Sequence, residues 1–231
     1  MNTSKDSFPE LVNIISVQTA NGLKTIEIYK GDLLDFKINT DLLVFSAFKN
    51  DYYPLKDTLV GSISSKLGID VGLLATRSDL DFRKSLNCWV SEKIDNLYSR
   101  RLICLEGIKE EIETKGDANE LFQNMFALLP LLNYKNIPAS TITLPLLGTG
   151  NQKVKTEDVI TSLIEISIDA LKTHNFLENI YFVEINASRA NLIDKTINDH
   201  LNRDIEKQNE VINSQLFSLY NEILQKLLRI K

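Results

Sequence analysis

The chain has 231 residues, of which 43% are hydrophobic and 25% charged, a composition that suits a globular protein with one sizeable core. With 26 Lys and Arg against 31 Asp and Glu, the formal net charge is −5, which disfavours nucleic acid as a partner. The polar N-terminus has no apolar signal segment, and no apolar run approaches the length of a membrane span. We therefore expect a cytoplasmic protein without a membrane partner.

Short apolar runs alternate with longer helical patterns along most of the chain. The turn dipeptide Asn21-Gly22 lies between two apolar runs, at 11–19 and 24–30, and predicts a hairpin. The same patterns predict these further elements: strands at 41–48, 86–94, 101–108, 140–148 and 179–186, and helices at 58–69, 118–134, 156–174 and 188–201. Strands that alternate with helices predict an α/β fold, with helices on both faces of a mixed, largely parallel sheet.

The last segment, residues 203–231, has a different pattern from the body at 11–202. Apolar residues recur at helical spacing and form a wide stripe, which includes Ile212, Leu216, Leu219, Ile223 and Leu227. Two interpretations stay open for this predicted C-terminal helix. It packs on the body of the same chain, or it mediates self-association or docking to an effector protein.

Cysteine and histidine give no sign of a metal site. Cys88 and Cys104 lie far apart in separate apolar runs, which favours two buried free thiols over a disulfide or a metal pair. His174 and His200 fall in predicted helices without a neighbouring Cys or His. The sequence therefore predicts neither a metal site nor a cofactor.

Three strand ends are candidates for a ligand site, because ligands of such sheets bind beyond the carboxyl ends of the strands. The first is Ser46-Ala47-Phe48, and the third is at Asn186. The second is the loop that starts with Gly148, Thr149 and Gly150. Its backbone N–H groups, before a predicted helix, are typical of an anion-binding nest, to which Thr149, Asn151 and Gln152 add side-chain hydrogen bonds. An ordinary tight turn is the alternative.

Gly31-Asp32-Leu33 follows the second strand of the hairpin. Asp32 is interpreted either as a turn or helix-cap residue or as a carboxylate that accepts a hydrogen bond from a nucleobase amino group. Two other features also have alternatives. Tyr52-Tyr53 either stacks on a base or sugar or packs over the mouth of a pocket, and Arg83 either neutralises a phosphate or forms an ion pair with Asp79 or Asp81.

The ordered set "IEIYKGDLLDFKINTDLLVFSAF", "TITLPLLGTG" and "IYFVEIN" resembles the macrodomain family over roughly residues 12–200. The resemblance implies a three-layer α/β/α sandwich that binds ADP-ribose or a related NAD-derived nucleotide. It implies that Asp32 holds the adenine amino group with Leu33 beside it, and that Asn186 lies near the adenine pocket. It also implies that the diphosphate and distal ribose are wrapped by Gly148, Thr149, Gly150 and Asn151.

The chain departs from the hydrolytic members of that family. Ser46-Ala47-Phe48-Lys49 replaces their "NAAN" motif, so the asparagine that orients the distal ribose or water is missing. We therefore expect a binding or sensor module that lacks strong turnover. The resemblance also makes a role in bacterial nucleotide signalling or anti-phage defence an expectation. Two alternatives stay open: a hydrolase of ADP-ribosyl or O-acyl-ADP-ribose substrates that uses Asn50 or Asp51, and an interaction protein with a vestigial pocket.

Overall fold

The computed structural model describes residues 8–95, 97–107, 115–147, 156–199, 214–216 and 218. Its strands are β1 (Glu10–Thr19), β2 (Gly22–Lys30), β3 (Thr40–Phe48), β4 (Leu80–Phe82), β5 (Cys88–Val90), β6 (Ser99–Gly107), β7 (Thr141–Leu144) and β8 (Asn179–Glu184). Its helices are a 3₁₀ turn (Leu33–Asp35), α1 (Leu59–Leu67), α2 (Val71–Thr76), α3 (Lys115–Tyr134), α4 (Thr156–Thr173) and α5 (187–199).

The strands form one mixed sheet in the order β1-β2-β8-β7-β3-β6-β5-β4. The five strands from β2 to β6 in this order run parallel, and the outer pairs are antiparallel. The predicted mixed, largely parallel sheet is therefore confirmed. Leu42, Leu43, Val44 and Phe45 of β3 are all buried, as expected for a central strand that is covered on both faces.

Helices cover both faces of the sheet, which confirms the predicted three layers. Leu43 and Phe45 belong to one buried cluster together with Ile63 of α1. Because side chains alternate along a strand, Leu42 and Val44 point to the opposite face. There, α3 packs on α4 and on β6, and α4 packs on β1 and β2.

The predicted element boundaries differ from the structure where single residues override the apolar pattern. The strand predicted at 140–148 ends at Leu144, because the next residue is Pro145, which has no N–H for the ladder. Helix α1 ends at Leu67, close to the predicted end at Gly68, and Gly68 is its C-cap with a left-handed φ of 67°. The short elements α2 and β4 were not predicted, because six and three residues are too few to show a period.

Cys88 and Cys104 are free, buried thiols, as predicted. In the β5–β6 ladder Cys104 lies opposite Trp89, whereas Cys88 lies opposite Leu105, so the two thiols point to opposite faces of the sheet. Burial raises the pKa of Cys88 to about 12 and that of Cys104 well above its ordinary value. Both side chains therefore act as small apolar core residues.

The chain divides into two compact units, Met1–Asp194 and Lys195–Lys231. In the second unit, residues 195–199, 214–216 and 218 are helical. The rest of the helix predicted at 203–231 lies outside the described residues. Within the described part of the chain, no helix combines the length and the hydropathy that a membrane crossing needs.

Candidate functional site

A cleft of about 610 Å³ opens at the carboxyl ends of the parallel strands β2, β3, β7 and β8. It lies in the first unit, where the start of α1 and the segment before it form one side. Its lining combines apolar side chains of the strand ends with charged groups at the rim. The described lining residues are Asp32, Leu33, Ser46, Ala47, Phe48, Asp51, Tyr53, Leu55, Lys56, Asp57, Thr58, Leu59, Val60, Ser62, Pro145, Leu146, Leu147, Val183, Glu184, Ile185 and Arg189.

The structure brings two of the predicted site segments together. Asp32 and Leu33 line the cleft, as do Ser46, Ala47 and Phe48. The predicted loop residues Gly148, Thr149, Gly150, Asn151 and Gln152 lie outside the described residues. However, Leu147, which immediately precedes this loop, lines the cleft.

Asn186 lies in the turn that follows β8, next to the lining residues Glu184 and Ile185. It is exposed and is not among the lining residues. Its side-chain Oδ1 accepts a hydrogen bond of 3.1 Å from the Arg189 backbone N–H, so Asn186 acts as the N-cap of α5. Its role beside the adenine therefore stays a prediction.

Asp32 is held in place by its own backbone turn and by a lysine of α1. Its Oδ1 accepts from the Leu34 N–H at 2.9 Å, which caps the 3₁₀ turn, and its Oδ2 lies 2.7 Å from Lys66 Nζ. The hydrogen bond to Asp32 raises the pKa of Lys66, so this lysine stays charged. Both interpretations of Asp32 from the sequence are compatible with this geometry, because the residue caps a turn and also lines the cleft.

Gly31 allows the chain to turn into the cleft beside Asp32. Its φ is 154°, in the region that favours glycine, and its N–H donates to the Glu184 carbonyl at 3.0 Å. A Cβ at this position would lie 2.9 Å from the Pro9 Cα, closer than real Cβ atoms come to backbone. A glycine is therefore required where β2 ends.

Glu184 at the end of β8 is a buried carboxylate, only 2% exposed. Its Oε1 accepts from the Asn186 N–H at 2.7 Å and from Arg189 Nε and Nη2 at 3.1 and 2.8 Å. These contacts hold the turn between β8 and α5 and keep the guanidinium at the cleft. Sequence reasoning missed this pair, although a glutamate inside the apolar run "YFVEI" was the available signal.

Residues 51–58, between β3 and α1, form one side of the cleft, and we call them the cleft wall. Asp51, Tyr53, Leu55, Lys56, Asp57 and Thr58 line the cleft. The Asp51 N–H donates to the Phe48 carbonyl at 2.9 Å, and Asn50 between them adopts a φ of 57°. Thr58, which is the N-cap of α1, donates to the Leu55 carbonyl from its N–H at 3.1 Å and from its hydroxyl at 2.8 Å.

The two tyrosines of the cleft wall point in different directions. Tyr53 is 73% exposed and lines the cleft, whereas Tyr52 packs inward against Trp89. Arg83 does not line the cleft; it forms ion pairs with Asp81 at 2.9 Å and with the buried Glu106 at 3.1 Å. The ion-pair interpretation of Arg83 is therefore confirmed, with Asp81 as one partner.

The described side chains of the cleft carry more negative than positive charge. Asp32, Asp51, Asp57 and Glu184 contribute carboxylates, whereas Lys56 and Arg189 contribute cations. Carboxylates suit amino and hydroxyl donors rather than phosphate. Among the described residues, no group of three or more His, Cys, Asp or Glu side chains is arranged to hold a metal ion.

No protein-family model matches the sequence, and no curated protein matches it. Among solved structures, the chain is similar to the Oceanobacillus iheyensis macrodomain with ADP, at 15% identity and a TM-score of 0.62, covering 83% of this chain and 98% of that one. It is also similar to the Trypanosoma brucei macrodomain in complex with ADP-ribose, at 15% identity and a TM-score of 0.57, covering 74% of this chain and 68% of that one. The protein therefore has the macrodomain fold that the sequence resemblance implied.

Proposed function

We propose that the protein binds ADP-ribose, or a related NAD-derived nucleotide, in the cleft described above, as a binding or sensor module. The observation that carries the proposal is the span of the cleft. It runs from Asp32, after β2, to the cleft wall, after β3, and the two strands β8 and β7 lie between them. Three strand spacings correspond to roughly 14 Å, which suits an extended ligand with a nucleoside at one end and a sugar at the other.

Each part of such a ligand has a matching group in the cleft. The carboxylate of Asp32 accepts from the adenine amino group, with the buried Leu33 against the base. We assign the diphosphate to the loop from Gly148 to Gln152, which follows the lining residue Leu147 and which the sequence predicts to be an anion-binding nest. Two macrodomains of the same fold were crystallised with ADP and with ADP-ribose, which supports this choice of ligand.

Titration calorimetry with ADP-ribose tests the proposal. We expect the wild-type protein to bind, and Asp32→Ala to lose roughly 1–3 kcal/mol of binding free energy, the range for a hydrogen bond to a charged group. Asp35→Ala is the matched control, because Asp35 also contacts Lys66, at 3.4 Å, but does not line the cleft. Equal affinity of the two variants would contradict the role of Asp32.

A hydrolase is the second candidate, and the position of Asp51 favours it. Asp51 lines the cleft beside the end of β3, whereas Asn50 does not line it. As a general base, Asp51 would take a proton from a water that attacks the distal ribose of an ADP-ribosyl or O-acyl-ADP-ribose substrate. If the protein is a hydrolase, it releases ADP-ribose from such a substrate, and chromatography measures this release. We expect Asp51→Ala to release ADP-ribose at least 100-fold more slowly. Unchanged turnover in that variant would exclude this role.

The biological setting and the partners belong to the same proposal. We propose a cytoplasmic role in bacterial nucleotide signalling or anti-phage defence, in which residues 203–231 mediate self-association or contact an effector protein. The apolar stripe of this segment supports an association surface. If calorimetry detects no nucleotide binding, the remaining interpretation is that the chain is an interaction protein whose pocket is vestigial.

A further inference from the structure

A buried polar cluster lies directly behind the cleft wall and is not used by the proposed ligand contacts. Glu106 of β6 is 2% exposed, and its Oε1 accepts a hydrogen bond from the Tyr52 hydroxyl. Trp89 Nε1 donates to the same hydroxyl at 3.0 Å. The Tyr52 and Trp89 rings meet edge to face, with centroids 5.9 Å apart. The Tyr52 hydroxyl of the cleft wall is therefore hydrogen-bonded to two side chains of the sheet, Glu106 of β6 and Trp89 of β5.

Arg83 completes the cluster on its other side. Its Nε lies 3.1 Å from Glu106 Oε1, and its guanidinium carbon lies 5.8 Å from the centre of the Trp89 ring. Glu106 Oε2 is buried and has no hydrogen-bond partner among the described residues. A buried carboxylate with few partners depends strongly on each one that it has. The Tyr52 hydroxyl is therefore a costly contact to lose.

Burial and the hydrogen bond to Glu106 raise the pKa of Tyr52, so its hydroxyl stays protonated and donates. Tyr52 is the inward-facing residue of the cleft wall, whereas its neighbours Asp51 and Tyr53 face the cleft. Because the backbone is continuous, fixing Tyr52 also restricts the backbone that carries these two side chains. The contact of Tyr52 with Glu106 lies at the β3 end of the cleft. In the sheet, β3 is two strands away from β8 and three away from β2, which precedes Asp32.

We propose that Glu106 and Trp89 are positioning residues that hold Tyr52 and thereby set the cleft wall at the distance that admits the distal ribose of ADP-ribose. This inference rests on the proposed function. It specifies that the cleft wall recognises one part of the ligand, the distal ribose. ADP carries the adenine and the diphosphate but lacks the distal ribose. The cleft wall therefore determines selectivity for ADP-ribose over ADP, whereas Asp32 acts on both ligands.

The test compares Tyr52→Phe with Tyr134→Phe in titrations with ADP-ribose and with ADP. Tyr134 makes a matched control, because it is 81% exposed and lies on α3, away from the cleft. We expect Tyr52→Phe to bind ADP-ribose about tenfold more weakly, because Asp51 and Tyr53 must then be ordered when the ligand binds, and to bind ADP as before. Tyr134→Phe should keep both affinities. A purely structural role of Tyr52 would weaken both ligands together or neither, and either result would overturn the inference.

Two further results separate the inference from the proposed function. If the wild-type protein binds no ADP-ribose, both are overturned. If the wild type binds and Tyr52→Phe keeps the wild-type ratio of the two affinities, the inference alone fails. Should Tyr52→Phe not fold, hydrogen exchange of the wild type decides: ADP-ribose is expected to slow exchange in residues 53–58 and ADP is not, and equal protection would overturn the inference.

Discussion

Replacing Gly61 by alanine is expected to lower the free energy of unfolding by roughly 1–3 kcal/mol, although alanine is the better helix former. A Cβ at this position of α1 would lie 1.9 Å from the Leu55 carbonyl oxygen and 2.7 Å from the Leu55 carbonyl carbon. These are backbone atoms, so the cleft wall must move away from the helix to admit the methyl group. Urea denaturation measures the loss of stability.

Gly72→Ala provides the matched control for this prediction. A Cβ at Gly72 of α2 would have the Asp70 Oδ1, which accepts from the Leu73 N–H as the N-cap of α2, as its nearest neighbour at 3.3 Å, and this contact needs a shift of only a few tenths of an ångström. We expect Gly72→Ala to be as stable as the wild type or more stable, because a helical glycine costs about 1 kcal/mol relative to alanine. A Gly61→Ala variant with wild-type stability would show that the cleft wall does not pack on α1 as described.

Gly61 also shows what the sequence alone conceals about this site. Its position in the predicted helix at 58–69 identified no partner, because the partner is a carbonyl of the preceding loop rather than a side chain. The same holds for Tyr52. The pair Tyr52-Tyr53 left both stacking and packing open, and only the structure separates an inward ring from an exposed one. Contacts between a loop and a distant strand, such as Tyr52 with Glu106, leave no local pattern.

The fold was predictable to a larger extent, for physical reasons. The continuous apolar run at 41–48 marks a strand that is buried on both faces, and the hairpin at Asn21-Gly22 follows from turn chemistry. These signals are local, so one sequence displays them. The ends of two strands were less predictable: β7, which stops before Pro145, and β5, which has only three residues. In both, hydrogen bonding rather than hydropathy determines where the strand ends.

Some residues of the cleft could likewise be predicted from the sequence, and others could not. Strand ends are local features, which is why Asp32 and the segment Ser46-Ala47-Phe48 were identified and do line the cleft. Lys56 and Asp57 were missed, because a charge in a polar loop resembles any solvated charge. The acidic excess of the described lining comes from Asp32 and Asp51, because the cations Lys56 and Arg189 balance Asp57 and Glu184.

Glu184→Ala is expected to lower the free energy of unfolding by about 2–3 kcal/mol, because it removes the acceptor of three hydrogen bonds. The Asn186 N–H and the Nε and Nη2 groups of Arg189 would lose this partner at the turn between β8 and α5. The side chain of Arg189 keeps 31% of its surface exposed, and water there limits the loss to less than that of a fully buried pair. Thermal or urea denaturation measures the effect.

The matched control for Glu184→Ala is Glu10→Ala, which removes the same group from an exposed ion pair. Glu10 lies 2.6 Å from Lys30, yet its side chain is 67% exposed, so water replaces the contact and we expect a change below about 1 kcal/mol. The two pairs have similar distances, but they differ in burial and in the number of hydrogen bonds that the carboxylate accepts. If both variants lost the same stability, the Glu184–Arg189 pair would contribute no more than a surface pair. The turn that holds Arg189 at the cleft would then depend on the Asn186 cap and the packing of α5 alone.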